Sequence, residues 1–262
     1  NDTTTSTERN FDSYSCAPST NESGPEIVYR ITLPSDGFLA LALDDWDQDV
    51  DVHLLEELDP DTCIDRGHYN AGALLPAGTY YAAVDSWVSN GVEYSGAYDL
   101  SIHHTPADSL VTEGLSEDIF SLGLYAFDTA WMNDEVDSFL YTIIDFSLPS
   151  IDKRQWTMDL STGELLYNLY VTHGEGSGSS SDILYADSFS NIENSHQSSL
   201  GLMRTAEDYN NGGSMKLDGL EPDINDNVRM RYIVVHGADY ATQEFIDTYG
   251  YLGRSWGCPA VD

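Results

Sequence analysis

The stretch Ile27-Val28-Tyr29-Arg30-Ile31-Thr32-Leu33, then Pro34-Ser35-Asp36-Gly37, then Phe38-Leu39-Ala40-Leu41-Ala42-Leu43, decides how the first part of the chain is read. Successive side chains of a strand point to opposite faces, so a period of two marks a half-buried strand. Pro, Ser, Asp and Gly in a row suit a tight turn. The pair predicts two strands joined as a hairpin. Working outward, Val50 to Leu55, Gly78 to Asp85 and Gly96 to His103 repeat the pattern, with Pro76-Ala77-Gly78 and Ser89-Asn90-Gly91 as turns. Short strands at this spacing, with no long helix among them, predict a small antiparallel β-sandwich.

Thr105-Pro106-Ala107-Asp108 breaks the pattern, and from Ser116 to Trp131 the period changes. Ile119, Leu122, Ala126 and Ala130 fall on one helix face, and Ser116 followed by Glu117 and Asp118 is a capping residue with anions where the helix dipole favours them. Runs rich in β-formers return at Phe139 to Phe146, Gln155 to Leu160, Leu165 to Thr172 and Arg231 to His236. Gly174 to Ser181 reads as a flexible loop. The expected fold is mostly β: a sandwich over 1–106 and a β-rich α+β domain over 107–262.

Of the 262 residues, 41% are hydrophobic and 11% aromatic, enough buriable surface for a folded chain. Lys and Arg number 10 against 45 Asp and Glu, a formal charge of −35. Such a field repels phosphate backbones and anionic lipid head groups, so nucleic-acid binding is excluded. No apolar run is long enough for a transmembrane segment. Asn1 to Ser6 are polar, without the basic and apolar regions of a signal peptide, so the reading expects a mature chain, secreted, periplasmic or in the cell envelope, and a monomer. Cys16 and Cys63 lie close in sequence and Cys258 stands apart, a partition of two plus one. We expect a Cys16–Cys63 disulfide and an oxidising compartment.

Chemistry concentrates near the C-terminus, in Tyr232-Ile233-Val234-Val235-His236-Gly237-Ala238 and Gly253-Arg254-Ser255-Trp256-Gly257-Cys258-Pro259-Ala260. The first places an imidazole at a strand end; the second places a thiol in a Gly-flanked turn. Pro259 biases Cys258 away from helix, so the natural activator of the thiol is the imidazole. Cys258 is the expected nucleophile and His236 the base. A buried free cysteine with an unrelated strand-end histidine is the bland alternative.

These two segments resemble the murein L,D-transpeptidase catalytic-domain family of the YkuD-like group. So do Ala186-Asp187-Ser188-Phe189-Ser190-Asn191, Ser195-His196-Gln197-Ser198-Ser199-Leu200-Gly201, Met215-Lys216-Leu217-Asp218-Gly219-Leu220-Glu221 and Asn225-Asp226-Asn227. The similarity covers about residues 110 to 262. It implies cysteine acyl transfer on peptidoglycan stem peptides without a catalytic cofactor. In that scheme Gly237 orients His236 through its carbonyl, and the Gly257 and Cys258 amides are oxyanion donors. It places Ser255, Arg254, Trp256, His173, Ser198 and Ser199 near substrate; Arg254 could instead pair with one of the many acids. The group usually has His before Gly-Cys where this sequence has Trp256. That departure, and the end of the sequence at Asp262, motivate the alternative of a catalytically weakened cell-wall-binding module.

About Cys16 to His104 resembles the bacterial pre-peptidase C-terminal (PPC) domain, in Asp49-Val50-Asp51-Val52-His53-Leu54, Leu75-Pro76-Ala77-Gly78-Thr79-Tyr80-Tyr81 and Ser95-Gly96-Ala97-Tyr98-Asp99-Leu100. That resemblance implies an accessory sandwich, in some members with calcium. Asp45, Asp47, Asp49 and Asp51 are the candidate oxygen ligands for a structural Ca²⁺, though the run lacks the Gly and terminal Glu of an EF-hand loop. A calcium-stabilised adhesive surface protein is the third functional class left open.

Overall fold

The computed structural model describes residues 2–3, 9–44, 48–179 and 182–262. Strands β1 (Asp2–Thr3), β2 (Ile27–Leu33), β3 (Gly37–Asp44), β4 (Val50–Leu55), β5 (Cys63–Gly67), β6 (Asn70–Leu75), β7 (Gly78–Ser86), β8 (Val88–Ser89), β9 (Val92–Glu93) and β10 (Ala97–Pro106) precede helix α1 (Glu117–Met132). Strands β11 (Leu140–Ile144), β12 (Gln155–Asp159), β13 (Glu164–Leu169), β14 (Met203–Tyr209), β15 (Ser214–Gly219) and β16 (Val234–Gly237) follow, then helix α2 (Gln243–Tyr249) and β17 (Ala260–Val261). Strand makes up 37% of the chain and helix 12%, so the mostly-β class holds. Contacts divide the chain into two units: Asn1–Val111 with Ser116–Leu140 and Asp159–Glu164, and Thr112–Leu115 with Tyr141–Met158 and Leu165–Asp262.

The first unit contains two four-stranded antiparallel sheets, ordered β1-β10-β3-β6 and β2-β7-β4-β5, and the two-stranded pair β8-β9. The expected β2–β3 hairpin does not form. β2 pairs with β7 while β3 pairs with β10 and β6, so the turn after Leu33 carries the chain from one sheet to the other. The reason is that β3 is apolar on both faces. Leu39, Leu41 and Leu43 join Val50, Val52, Leu54, Ala82, Val84 and Tyr98 in the core. On the other face Phe38 meets Phe127 of α1 edge-on, with centroids 5.2 Å apart. A strand buried on both sides needs cover on each, which a two-stranded hairpin would leave wet.

Ser116 caps α1, its hydroxyl accepting from the Ile119 amide at 3.3 Å. The buried face is carried by Phe120, Leu124, Phe127 and Trp131, whereas Leu122, expected inside, is 64% exposed. Aromatic rings bury more area than the Leu/Ala stripe, so they set the rotation of the helix. Two polar contacts then fix it: Asp128 accepts from the Leu74 amide at 2.7 Å, and the Trp131 indole donates to Asp65 at 2.8 Å.

Strand β4 is buried throughout. Val50, Val52 and Leu54 face the core, while Asp51 and His53 alternate away from it beneath the segment that precedes β2. There Tyr14 stacks on His53 with centroids 3.6 Å apart and donates its hydroxyl to Asp85 at 2.7 Å. The Cys16–Cys63 disulfide, with Cα atoms 5.5 Å apart, ties the same segment down.

Of the four candidate calcium ligands, Asp45 and Asp47 lie outside the described residues. Asp49 and Asp51 approach His68, but the buried Asp51 carboxylate is taken by the Arg66 guanidinium and by His68 Nδ1 at 2.6 Å. The ligand atoms of Asp49, Asp51 and His68 lie within 4.8 Å of one another, and Arg66 shares the Asp51 carboxylate, so a cation there would share Asp51 with a guanidinium.

In the second unit β14, β15, β16 and β17 form one sheet, turned at Asn210-Asn211-Gly212-Gly213 between β14 and β15; β11, β12 and β13 form another. β16 runs antiparallel to β15 and parallel to β17. Leu217, Val228 and Ile233 pack beneath it with Met203 and Val235. The strand expected over Arg231 to His236 begins only at Val234. Residues 228–233 close as a helix-ending motif, in which the Ile233 amide donates to the Val228 carbonyl at 3.1 Å and the Tyr232 amide to the Arg229 carbonyl at 3.2 Å. Tyr232 holds the left-handed position of that motif, at φ 56°.

Candidate active site

The parallel pairing of β16 with β17 sets His236 opposite Ala260 and Gly237 opposite Val261. Because the pair is parallel, residues before Ala260 lie beside residues before His236, so the register carries the turn holding Cys258 to the start of β16, where Tyr232 and Val234 stand. A second run of backbone lies against that turn from the other side. The Thr172 amide donates to the Ala260 carbonyl at 2.9 Å, Ser255 N to His173 O at 3.1 Å, and Glu175 N to Ser255 O at 2.8 Å.

Within the turn, the Ser255 hydroxyl donates to the Cys258 carbonyl at 2.6 Å and accepts from the Gly257 amide at 3.1 Å. Gly257 sits at φ +115°, and a Cβ there would stand 2.6 Å from the Gln197 carbonyl oxygen. Only glycine fits both the dihedral and the gap. The Gly257 amide, expected to donate to an oxyanion, is instead engaged by Ser255; the Cys258 amide has no acceptor among the described residues. The Cys258 thiol faces the Tyr232 carbonyl at 3.6 Å. Burial pushes the thiol pKa up, partly offset by the Val234 amide and the Arg231 guanidinium. His236 Nδ1 lies 2.9 Å from the Gly237 carbonyl, which as an acceptor only places the ring proton on Nδ1 and leaves Nε2 bare.

Four residues expected against substrate are part of the framework. His173 is fully buried; its Nδ1 lies 2.9 Å from Arg154 Nη2, and since a guanidinium only donates, Nδ1 accepts. Burial, then Arg154 and Arg254, lower its pKa to about 4. Ser198 accepts from the Gly174 amide at 3.0 Å, Ser199 donates to the Ser190 carbonyl at 3.2 Å, and Ser255 is held as above. Their hydroxyls are occupied and their side chains closed to solvent. Arg254 and Trp256 do reach solvent, Trp256 at 70% exposure.

The family model of the L,D-transpeptidase catalytic domain matches residues 111–262. The chain belongs to the L,D-transpeptidase catalytic-domain family. Neither curated proteins nor solved structures give a match. The match contains the whole site just described, and it begins ahead of α1, which by contacts packs with the first unit.

Three parts of this L,D-transpeptidase domain's site escaped the sequence reading. Trp256 stacks on His196, with centroids 4.8 Å apart and planes 6° from parallel, and Glu175 holds His196 Nδ1 at 2.8 Å. Tyr232 supplies the carbonyl beside the thiol. Arg231 clamps the segment from Ser190 to Ser199. A tyrosine forced to positive φ leaves no compositional trace, and the Arg231 acceptors are hydroxyls and carbonyls scattered through a loop without periodicity.

Proposed function

We propose that the protein is a peptidoglycan L,D-transpeptidase, with an L,D-carboxypeptidase activity where water replaces the acceptor, acting through a Cys258 thioester with His236 as base. The observation that supports this most directly is the β16–β17 register, with His236 Nε2 left bare by the Gly237 carbonyl. Cys258 gives its proton to His236 as sulfur bonds to the carbonyl carbon of the L-centre of a stem peptide. The C–N bond to the D-centre breaks, and the departing amine takes the proton from His236. An acceptor amine, or water, then loses a proton to His236 as it bonds to the thioester carbonyl carbon, the C–S bond breaks, and His236 returns that proton to the Cys258 sulfur.

The Cys258 amide is the oxyanion donor in this reading, since the Gly257 amide is engaged. Arg254, exposed and without a carboxylate partner among the described residues, takes a substrate carboxylate as a fork. Trp256 lines the same side. The N-terminal sandwich serves as an accessory module, and the chain works as a monomer at the cell envelope. The Cys16–Cys63 disulfide suits that compartment. No helix among the described residues is long and apolar enough to cross a membrane.

Digesting purified sacculi and identifying muropeptides by mass tests the proposal, with new cross-links or shortened stems expected and lost in Cys258→Ala. Products that persist in that variant would reject it. One observation favours the second reading, a catalytically weakened wall-binding module: the partner of the resting thiol is the Tyr232 carbonyl and not His236. That reading predicts sacculus binding that survives Cys258→Ala without any change in muropeptides.

A further inference from the structure

Acids outnumber bases 45 to 10 along this chain, so the ordinary partner of a guanidinium is a carboxylate. Arg9 on Glu93, Arg66 on Asp51, Arg204 on Asp218 and Arg229 on Asp218 and Glu207 follow that rule. Arg231 does not. Its fork donates to the Ser190 carbonyl, the Ser199 hydroxyl, the Ser195 hydroxyl at 3.1 Å and the Gln197 carbonyl at 2.6 Å, all neutral oxygens. Its Nε is out of water and has no acceptor among the described residues.

Neutral acceptors satisfy donors without cancelling charge, and a half-buried cation without a counter-ion is costly to keep. The next residue, Tyr232, turns its carbonyl to the Cys258 sulfur, and Arg231 itself interacts electrostatically with Cys258. The Gln197 carbonyl that takes Arg231 Nη2 is the same oxygen that walls Gly257. The Val234 amide, the Tyr232 carbonyl and Arg231 bear on the thiol favourably, while a thiolate there disfavours ionisation of the Tyr240 phenol. Among them Arg231 is the one fixed positive charge.

We propose that Arg231 is a positioning residue for Cys258: its uncancelled charge is the standing counter-ion of the thiolate, and its fork holds the Ser190 to Ser199 segment against Gly257. The inference rests on Cys258 as the nucleophile.

Alkylation of the full chain by iodoacetamide, followed by intact mass across pH, reads thiol ionisation without any need for turnover. Arg231→Met is expected to raise the midpoint by about one pH unit and slow alkylation at neutral pH about tenfold. Arg231→Lys, which keeps the charge, returns most of the midpoint. The double variant Ser195→Ala/Ser199→Ala, which keeps the charge and removes the two hydroxyl acceptors of the clamp, leaves the midpoint in place. An unmoved midpoint in folded Arg231→Met overturns the proposal, as does a midpoint that shifts equally in the serine variant. Arg231→Gln, which keeps an amide donor for Gln197, serves the same comparison where the Met variant does not fold. A wild-type chain that transfers no acyl group, yet whose thiol midpoint follows Arg231, removes the enzymatic reading alone.

Discussion

His236 Nδ1 and the carbonyl oxygen of the adjacent Gly237 stand 2.9 Å apart. The residue next in sequence thus does what a carboxylate does in other cysteine or serine enzymes: it selects a tautomer and holds a ring plane. Under the proposed mechanism, removing His236 should cost about 10²–10⁴-fold in the rate of thioester formation. His236→Ala, followed by mass detection of the acyl adduct of a carbapenem-type β-lactam, is the direct measurement, and wild-type acylation in that variant would rule out the role.

Gly257→Ala is expected to lower both stability and acylation. A methyl group there meets the Gln197 carbonyl at 2.6 Å, and φ +115° is strained for any L side chain. We expect a loss of about 1–3 kcal/mol in urea unfolding; an unchanged midpoint would show that the turn relaxes freely.

Tyr232 should respond in the opposite sense. Its ring is 69% exposed and its φ is positive, so Tyr232→Gly relieves strain of about 1 kcal/mol while sacrificing little packing. A higher melting temperature is expected, and a lower one would mean the ring holds the turn after all.

The first unit should lose stability as pH rises above neutrality. Burial raises the Asp85 pKa from 3.8 to about 8, so the folded state keeps a proton that the unfolded chain releases, and stability falls as pH climbs toward that value. Glu22 shifts the same way, through burial and then Asp51. His53 opposes them: burial lowers it from 6.5 to about 3, so its penalty grows only as pH drops below 6.5. Between pH 6.5 and 8 the carboxyls act alone. Denaturant midpoints at those two pH values should differ, and the gap should narrow in Asp85→Asn; equal midpoints in wild type would contradict the assignment.

Much of this fold was legible because single residues speak for themselves. The alternation of Ile27 to Leu33 fixes a strand, and Ser116 fixes a helix start. What was not legible depended on partners. The run Phe38 to Leu43 gives no sign that both its faces are covered, so its hairpin was misassigned. Phe120, Leu124 and Phe127 competed with Ile119, Leu122 and Ala126 for the buried face of α1, and ring area decided. The strands β5 and β6 are interrupted by polar residues such as Asp65, Arg66 and Asn70, whose reasons lie across the sheet. At the candidate site, Cys258 and His236 stood out as chemically rare, whereas Ser198, Ser199 and Ser255 could be placed only once their acceptors were known.

The covalent link between Cys16 and Cys63 has one more effect, on what a nicking protease can reveal. Hydrolysis of any peptide bond between these two positions, for instance near the exposed Leu58, leaves two fragments bound through sulfur. On an electrophoretic gel such a clipped molecule travels at nearly its uncut size and separates into pieces only when reductant is added.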